Sequence, residues 1–553
     1  MPLQKILFKA GIVKENTRYT TEGGWYEADK VRFRQGNPEV IGGWQPYSAA
    51  TYQGVCRSLW NWVLLDGRNV VGVGTNLKFY IENGGGYNDI TPIRATSTIN
   101  NNPFSATNGS ATITVTDTSH GAVTGDFVTF SGAVGLGGNI TATVLNAQYQ
   151  ITVLTVNTYT FTASATANAT DASGSPGGGA SVVAAYQISV GPAIEIPLVG
   201  WGSGGWGSGT WGNGQASASA LRLWNQINYG EDLVYSPRGG GLYYWDATGG
   251  LTTRGVLLNS LGGNVSFTSA SPTVVTSTIL YTEGAALQFA ATTSLPTGIS
   301  AATTYYVFEV NGLTFKLLDS AGAAVNTSST GTGVYISLIV DVPTVVNSLT
   351  VSDTSRFVIT FGCNDYGSAT LDPMLIRWSA QDDIYNWTPD PTNQAGFIRI
   401  SHGSEIVATI QTRQEVVIFT DSAIYSLQYL GPPYVWAPQL LGDNISIMST
   451  NAAIIASGVV YWMGVDKFYV YDGRVNTLNC DLRRFVFGDI NQQQALQVFA
   501  GTNEGFNEVW WFYCSANSST VDRYVIYNYL EKIWYYGTME RTAWLDSGLQ
   551  TVP

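Results

Sequence analysis

The 553 residues carry 26 Lys and Arg against 39 Asp and Glu, a formal net charge of −13, and only 12% of the chain is charged against ~25% in an average soluble domain. With 44% apolar residues, 12% aromatics and 62 glycines, the composition excludes a disordered chain and a coiled coil, and no run reaches the ~18 apolar residues of a membrane helix. What remains is a glycine- and aromatic-rich all-β protein, long enough for three or four domains of ~150 residues, and too acidic to grip DNA by neutralising phosphates, though repulsion would let DNA pass without sticking.

The N-terminus, MPLQKILFKAG, has no apolar stretch long enough for a signal peptide, so export by the usual route is not expected. Residues 1–58 read as an N-terminal β segment. Within it Lys30, Arg32 and Arg34 alternate, and in a strand they share one face. Such a stripe in an acidic chain is expected to face something acidic, on a partner or on the chain itself, or else to guard an edge strand.

A repeat follows: an apolar strand, a turn, a strand with aromatics at alternate positions, then Trp or Tyr near Pro. The first unit spans 59–95, the second 215–258, and four more fill 344–545, with 546–553 as a tail. The last three recur at about 40–50 residues, the length of a four-stranded propeller blade. Six units predict a six-bladed β-propeller, because stacking sheets radially buries faces that one sheet leaves open. Trp462, Tyr469 and Tyr471 are then blade core.

Two Thr/Ser-rich blocks, 96–199 and 259–343, interrupt the repeat. Both contain Val-x-x-Val-Asn-x-x-Thr-Phe, from Val153 to Phe161 and from Val307 to Phe315, preceded by GDFVTF at 125–130 and GAALQF at 284–289. Alternation around an Asn-centred turn predicts a hairpin, and each block reads as a small β-sandwich or barrel inserted between blades. Residues 200–214 repeat a pentad with Trp201, Trp206 and Trp211. Glycine this dense prescribes no backbone conformation, so the loop is a candidate constriction or docking element, or a linker whose indoles cover the neighbouring insert.

Signals for chemistry are thin. His120 and His402 are the only histidines, and Cys56, Cys363, Cys480 and Cys514 lack CxxC spacing, so no metal or cofactor site is expected and the cysteines read as buried free thiols. Asp382 and Asp383 sit in WSAQDDIYNWTP, which resembles the turn motif called an Asp-box in sialidase propellers. Glu231, Asp232, Glu405, Glu415, Glu504 and Glu508 read as solvated carboxylates at blade edges. No phosphate-binding loop, nucleophile elbow or zinc-protease string is present. The chain is expected not to be an enzyme.

The strings YTTEGGWYEADKVRFRQGNPEVIGGW (19–44), IRWSAQDDIYNWTP (376–389), IQTRQEVVIFTDSAIYSLQYLGPP (410–433), VYWMGVDKFYVYDG (460–473) and EVWWFY (508–513) resemble the nozzle, or tail-tube, proteins of short-tailed bacteriophages, also called packaged-DNA stabilisation proteins. The resemblance covers the N-terminal 95 residues and most of 345–545, and not the inserts. It implies a virion protein assembled in the host cytoplasm: a homo-hexameric tube below the ring adaptor and portal, with tail fibre, spike or needle proteins alongside. Such a tube retains packaged double-stranded DNA and conducts it during ejection without sequence-specific binding. It places the N-terminal basic strand in the region that joins the adaptor or pins the propeller, and Lys30, Arg32 and Arg34 are the candidate subunit or adaptor contact. The family pattern continues beyond RTAWLDSGLQTVP with a further β segment, which puts ring closure by pairing first and last strands in doubt. The alternative is a virion-associated propeller that binds or cleaves glycans. That reading calls for a convergent carboxylate pair and aromatic platforms in one cleft.

Overall fold

Glycine-punctuated hairpins of β-branched and aromatic residues build this chain. In the computed structural model, which describes residues 8–17, 19, 21, 23–99, 102–168, 177–196, 221–353 and 355–549, strand accounts for 46% and helix for 5%, against the ~30–35% helix of ordinary domains. The expected all-β class is what forms. No described helix is long and apolar enough to cross a membrane.

Among the described residues, six four-stranded antiparallel sheets follow one another, each made of four consecutive strands in spatial order. Sheet one is Cys56–Val63, Asn69–Thr75, Phe79–Asn83 and Gly86–Asp89. Its last turn needs Gly84 and Gly85, with φ of 58° and 89°, because a two-residue hairpin loop of matching twist puts both central residues in the left-handed region. Sheet two is Trp224–Tyr229, Asp232–Pro237, Tyr243–Trp245 and Val256–Leu257. Sheet three is Val346–Val351, Val358–Asn364, Leu371–Trp378 and Gly396–Arg399. Sheet four is Ile406–Gln411, Glu415–Thr420, Ala423–Gly431 and Val435–Asp443. Sheet five is Ala453–Ala456, Val459–Met463, Phe468–Tyr471 and Val475–Leu478. Sheet six is Phe499–Asn503, Glu508–Tyr513, Arg523–Asn528 and Ile533–Thr538.

From sheet one to sheet six, the first strand of each sheet packs against the first strand of the next. The apolar cores therefore lie between sheets: one with two, three with four, and four through six together with Ile12 and Phe33 of the N-terminal segment. Trp462, Tyr469 and Tyr471 are buried there. Among the described residues, no N-terminal strand joins sheet six. Individual N-terminal residues instead contact its outermost strand: the Ile12 amide donates to Trp534 O, Asp29 accepts from the Thr538 amide and hydroxyl, and the Lys14 ammonium sits over the Tyr536 ring and that of Phe485.

The two Thr/Ser-rich blocks form one sheet each, between sheets one and two and between sheets two and three. The first module has strands Ile93–Thr98, Phe104–Ala106, Thr112–Thr116, Phe127–Ser131, Gln148–Thr155, Thr158–Thr162 and Val183–Gln187. The second has Val265–Phe267, Val274–Ser277, Ala286–Ser294, Tyr305–Asn311, Thr314–Leu318 and Thr332–Ile339. Apart from the extra strand Ile93–Thr98, the spatial order is the same in both: first, second, fifth, fourth, third, sixth. The shared Val-x-x-Val-Asn motif falls on the equivalent hairpin, and its Phe161 and Phe315, both buried, pair with Ile113 and Val275 on equivalent strands. Ile93–Thr98 pairs with Val183–Gln187, so the module's sheet begins at Ile93, three residues ahead of the boundary between 95 and 96 that the sequence reading set. The first module keeps its own core. The core of the second runs on into sheets two and three.

Candidate functional site

The cation stripe of Lys30, Arg32 and Arg34 is the feature the sequence offers to a partner. Val31–Arg34 pairs with Asn37–Val40 in a two-stranded ribbon. Lys30 lies before the strand with φ of 55°, so the strict alternation that would align it with Arg32 does not reach it. Lys30 and Arg34 are exposed. Arg32 is buried and turned into its own chain: Nη2 donates to Glu508 Oε2 at 3.0 Å and Nε lies 3.0 Å from Oε1. Its guanidinium also sits 3.5 Å from the centre of the Phe506 ring. The three cations thus do not form one shared face. Arg32 has been spent fastening the N-terminal ribbon to sheet six. Trp201, Trp206 and Trp211 lie outside the described residues.

Glu508 corrects a second expectation. It is not a solvated edge carboxylate but fully buried, receiving Arg32, the Trp510 indole N–H at 3.0 Å and the Tyr535 hydroxyl at 2.5 Å. Burial raises its pKa, opposed by Arg32 and by these hydrogen bonds. Glu415 is also engaged, accepting from the Ser426 and Tyr471 hydroxyls and from Gln428. Asp232 accepts from the Tyr244 hydroxyl and the Ala247 amide.

Other acids fasten the modules. Asp89, the last residue of sheet one, accepts from Lys78 at 3.0 Å, from both terminal nitrogens of Arg254 in sheet two's outer loop, and from Gln187 of the first module. Lys78 also donates to Gln148 of that module. Although burial acts to raise it, Arg254, Lys78 and Thr91 together hold the Asp89 carboxyl down at about 2. Asp126, fully buried inside the module, accepts from the Val123 and Val190 amides and the Ser189 hydroxyl. Asp117 takes the Tyr186 hydroxyl, which is itself paired with that of Tyr159. In the Asp-box turn, Asp383 accepts from the Thr282 amide and hydroxyl, and Asn386 donates to Thr282 and to Glu283 O. This turn seats the second module. Asp382 is exposed and paired with Arg356 at 3.0 Å.

Sequence reading missed Asp89, Lys78 and Arg254 as a cluster. The usable signal was a lone charge abutting an apolar run, as in Lys78 before Phe79–Asn83 and Glu508 before Val509–Tyr513. No group of three or more His, Cys, Asp and Glu able to hold a metal occurs among the described residues. His120 is tied at both ring nitrogens, accepting the Ala122 amide at one and facing Thr155 O at the other. The cysteines are free thiols. A cleft of about 310 Å³ between sheets four and five is lined by Asp443, Lys467, Asn476 and Thr477 among others, and has one carboxylate, not a pair.

The first strands of the six sheets carry one charged residue, Arg57. Their amides and hydroxyls bond from sheet to sheet: Trp60 to Asn228 and Gln226 to Ser58 between sheets one and two, Asn225 to Asn347 O between two and three, and Ser348 with Thr409 and Thr350 to Gln411 between three and four. This belt is built for joining neighbours.

No protein-family model matches the chain, and no curated protein does. Among solved structures it is similar to a functionally unknown protein from Desulfotomaculum acetoxidans DSM 771, at 11% identity and a TM-score of 0.21, covering 57% of this chain and 99% of that one. It is also similar to BBS1N in complex with ARL6DN, at 9% identity and a TM-score of 0.19, covering 53% and 88%. A third is the phage phi92 endosialidase, at 12% identity and a TM-score of 0.16, covering 94% and 80%. Scores this low carry no assignment of function.

Proposed function

We propose that the six sheets are the blades of a propeller and that this chain is a structural protein of a short-tailed phage tail, of the nozzle type. On this reading it assembles as a hexamer below the adaptor and portal, and DNA leaves the capsid through it. The observation that carries the proposal is how the acids are used. Five carboxylates are buried among the described residues, Glu82, Asp117, Asp126, Asp383 and Glu508, and each is hydrogen-bonded to its own chain. A glycosidase needs a carboxyl pair about 5–10 Å apart, open to substrate. Here the five buried carboxylates fasten segments of the chain together. The charge of −13 suits a conduit: a basic lumen would hold DNA phosphates, which occur every ~1.7 Å of axis, and slow their exit.

Electron microscopy of the purified chain and of virions labelled with an antibody to it tests this. Six-fold rings, with label at the portal vertex, are expected. A monomer in solution with label on fibres, or hydrolysis of a glycan panel, would overturn it in favour of the glycan-directed alternative.

A further inference from the structure

We infer that residues 541–549 form a strap that holds sheet six to sheet one, beside a direct hydrogen bond from Arg57 of sheet one to Gln497 just ahead of sheet six, at 2.8 Å. From sheet one to sheet six, successive first strands pack on each other, whereas Phe499–Asn503 and Cys56–Val63 do not pack on each other as extensively. At the join of sheets one and two, Trp224 lies against Gly74 and its indole N–H donates to Thr75 O at 2.7 Å. A Cβ on Gly74 would stand 2.8 Å from that ring, so only glycine admits it.

The strap repeats this lock at the open seam. Trp544 lies against Gly501 of sheet six, where a Cβ would stand 2.4 Å from the ring, and its indole N–H donates to Thr502 O at 2.7 Å. The indole stacks on Trp510 with centroids 5.2 Å apart and has Trp44 edge-on at 5.3 Å. The neighbouring side chains turn the other way. Ala543 and Leu545 pack on Cys56, Val71, Val73 and Tyr80 of sheet one, and Ser547 accepts from Asn61 at 2.7 Å. One short segment therefore binds both sides. Residues 541–549 contain no strand, so side chains and a few hydrogen bonds hold them without a ladder. Release of the strap breaks no sheet, and the seam is the place where the cycle of six sheets can open locally.

Hydrogen exchange on the full-length chain tests this. Trp544→Ala should speed exchange at least tenfold in 56–63 and 499–503 and leave sheet three, 346–364, unchanged. Gly501→Ala should give the same pattern by displacing the indole. Gly74→Ala should instead loosen the join of sheets one and two. Asn61→Ala, which keeps every apolar contact, should give a weaker form of the seam pattern. Equal acceleration across all six sheets, no acceleration, or global unfolding of Trp544→Ala would each overturn a separable strap.

Discussion

Replacing Asp89 by Asn should loosen the first module from the body, by an amount that depends on pH in a defined direction. A carboxyl held at about 2 in place of its ordinary 3.8 corresponds to roughly 2 kcal/mol of stabilisation when ionised. Burial of the Lys78 ammonium pulls its pKa down and offsets part of this in the intact pair. The variant, however, removes only the carboxylate and leaves that ammonium, whose side chain is 5% exposed, without a counter-ion. Cutting one partner out of a buried pair costs about 3–5 kcal/mol, so the loss at neutral pH should be about 2–4 kcal/mol. Because the folded-state pKa is depressed, the contribution is complete above the unfolded value near 4 and disappears as pH falls through about 2. Hydrogen exchange in 127–131 and 183–187 should therefore separate wild type from Asp89→Asn by at least ~30-fold at pH 7, with the gap closing towards pH 2. A gap that is absent at pH 7, or equally wide at pH 2, would refute the account of Asp89 as an ionised clamp.

Arg32→Leu should cost about 3–5 kcal/mol by leaving Glu508 buried and unpaired, while Arg32→Leu with Glu508→Leu should cost less than the single change. Thermal unfolding reads both, and a double variant weaker than the single would contradict the clamp. It follows that charge reversal at Arg32 is a folding perturbation, and that an assembly contact should be probed at Lys30 and Arg34. Burial pushes the Cys56 and Cys514 thiols up to about 12 and Cys363 to about 11, and raises Cys480 too. The native chain should therefore resist a thiol reagent at pH 8, all four groups reacting only on unfolding; rapid native labelling would show that the thiols are reachable.

Local pattern determined much of this protein. Alternation of β-branched and aromatic residues between glycine turns is a two-residue period, and it marks strands wherever they end up. Six recurrences of it located six sheets, and a nine-residue motif located equivalent hairpins in two modules, because strand and turn preferences act over a few residues. Burial and partnership are not local properties. Glu508 and Arg32 stand 476 positions apart, and nothing in either neighbourhood states that the two charges cancel inside the fold. Lys30 left the stripe because its backbone turns left-handed just before the strand, which alternation alone does not reveal. Asp89 meets Lys78, Arg254 and Gln187 only after a module has folded between two sheets, and Leu545 meets Val71 and Tyr80 of sheet one only once the last sheet is beside the first. Tertiary structure decided which charges are fasteners and which remain free, because an ion pair in a low-dielectric interior depends on a few ångströms of approach that only the assembled chain sets.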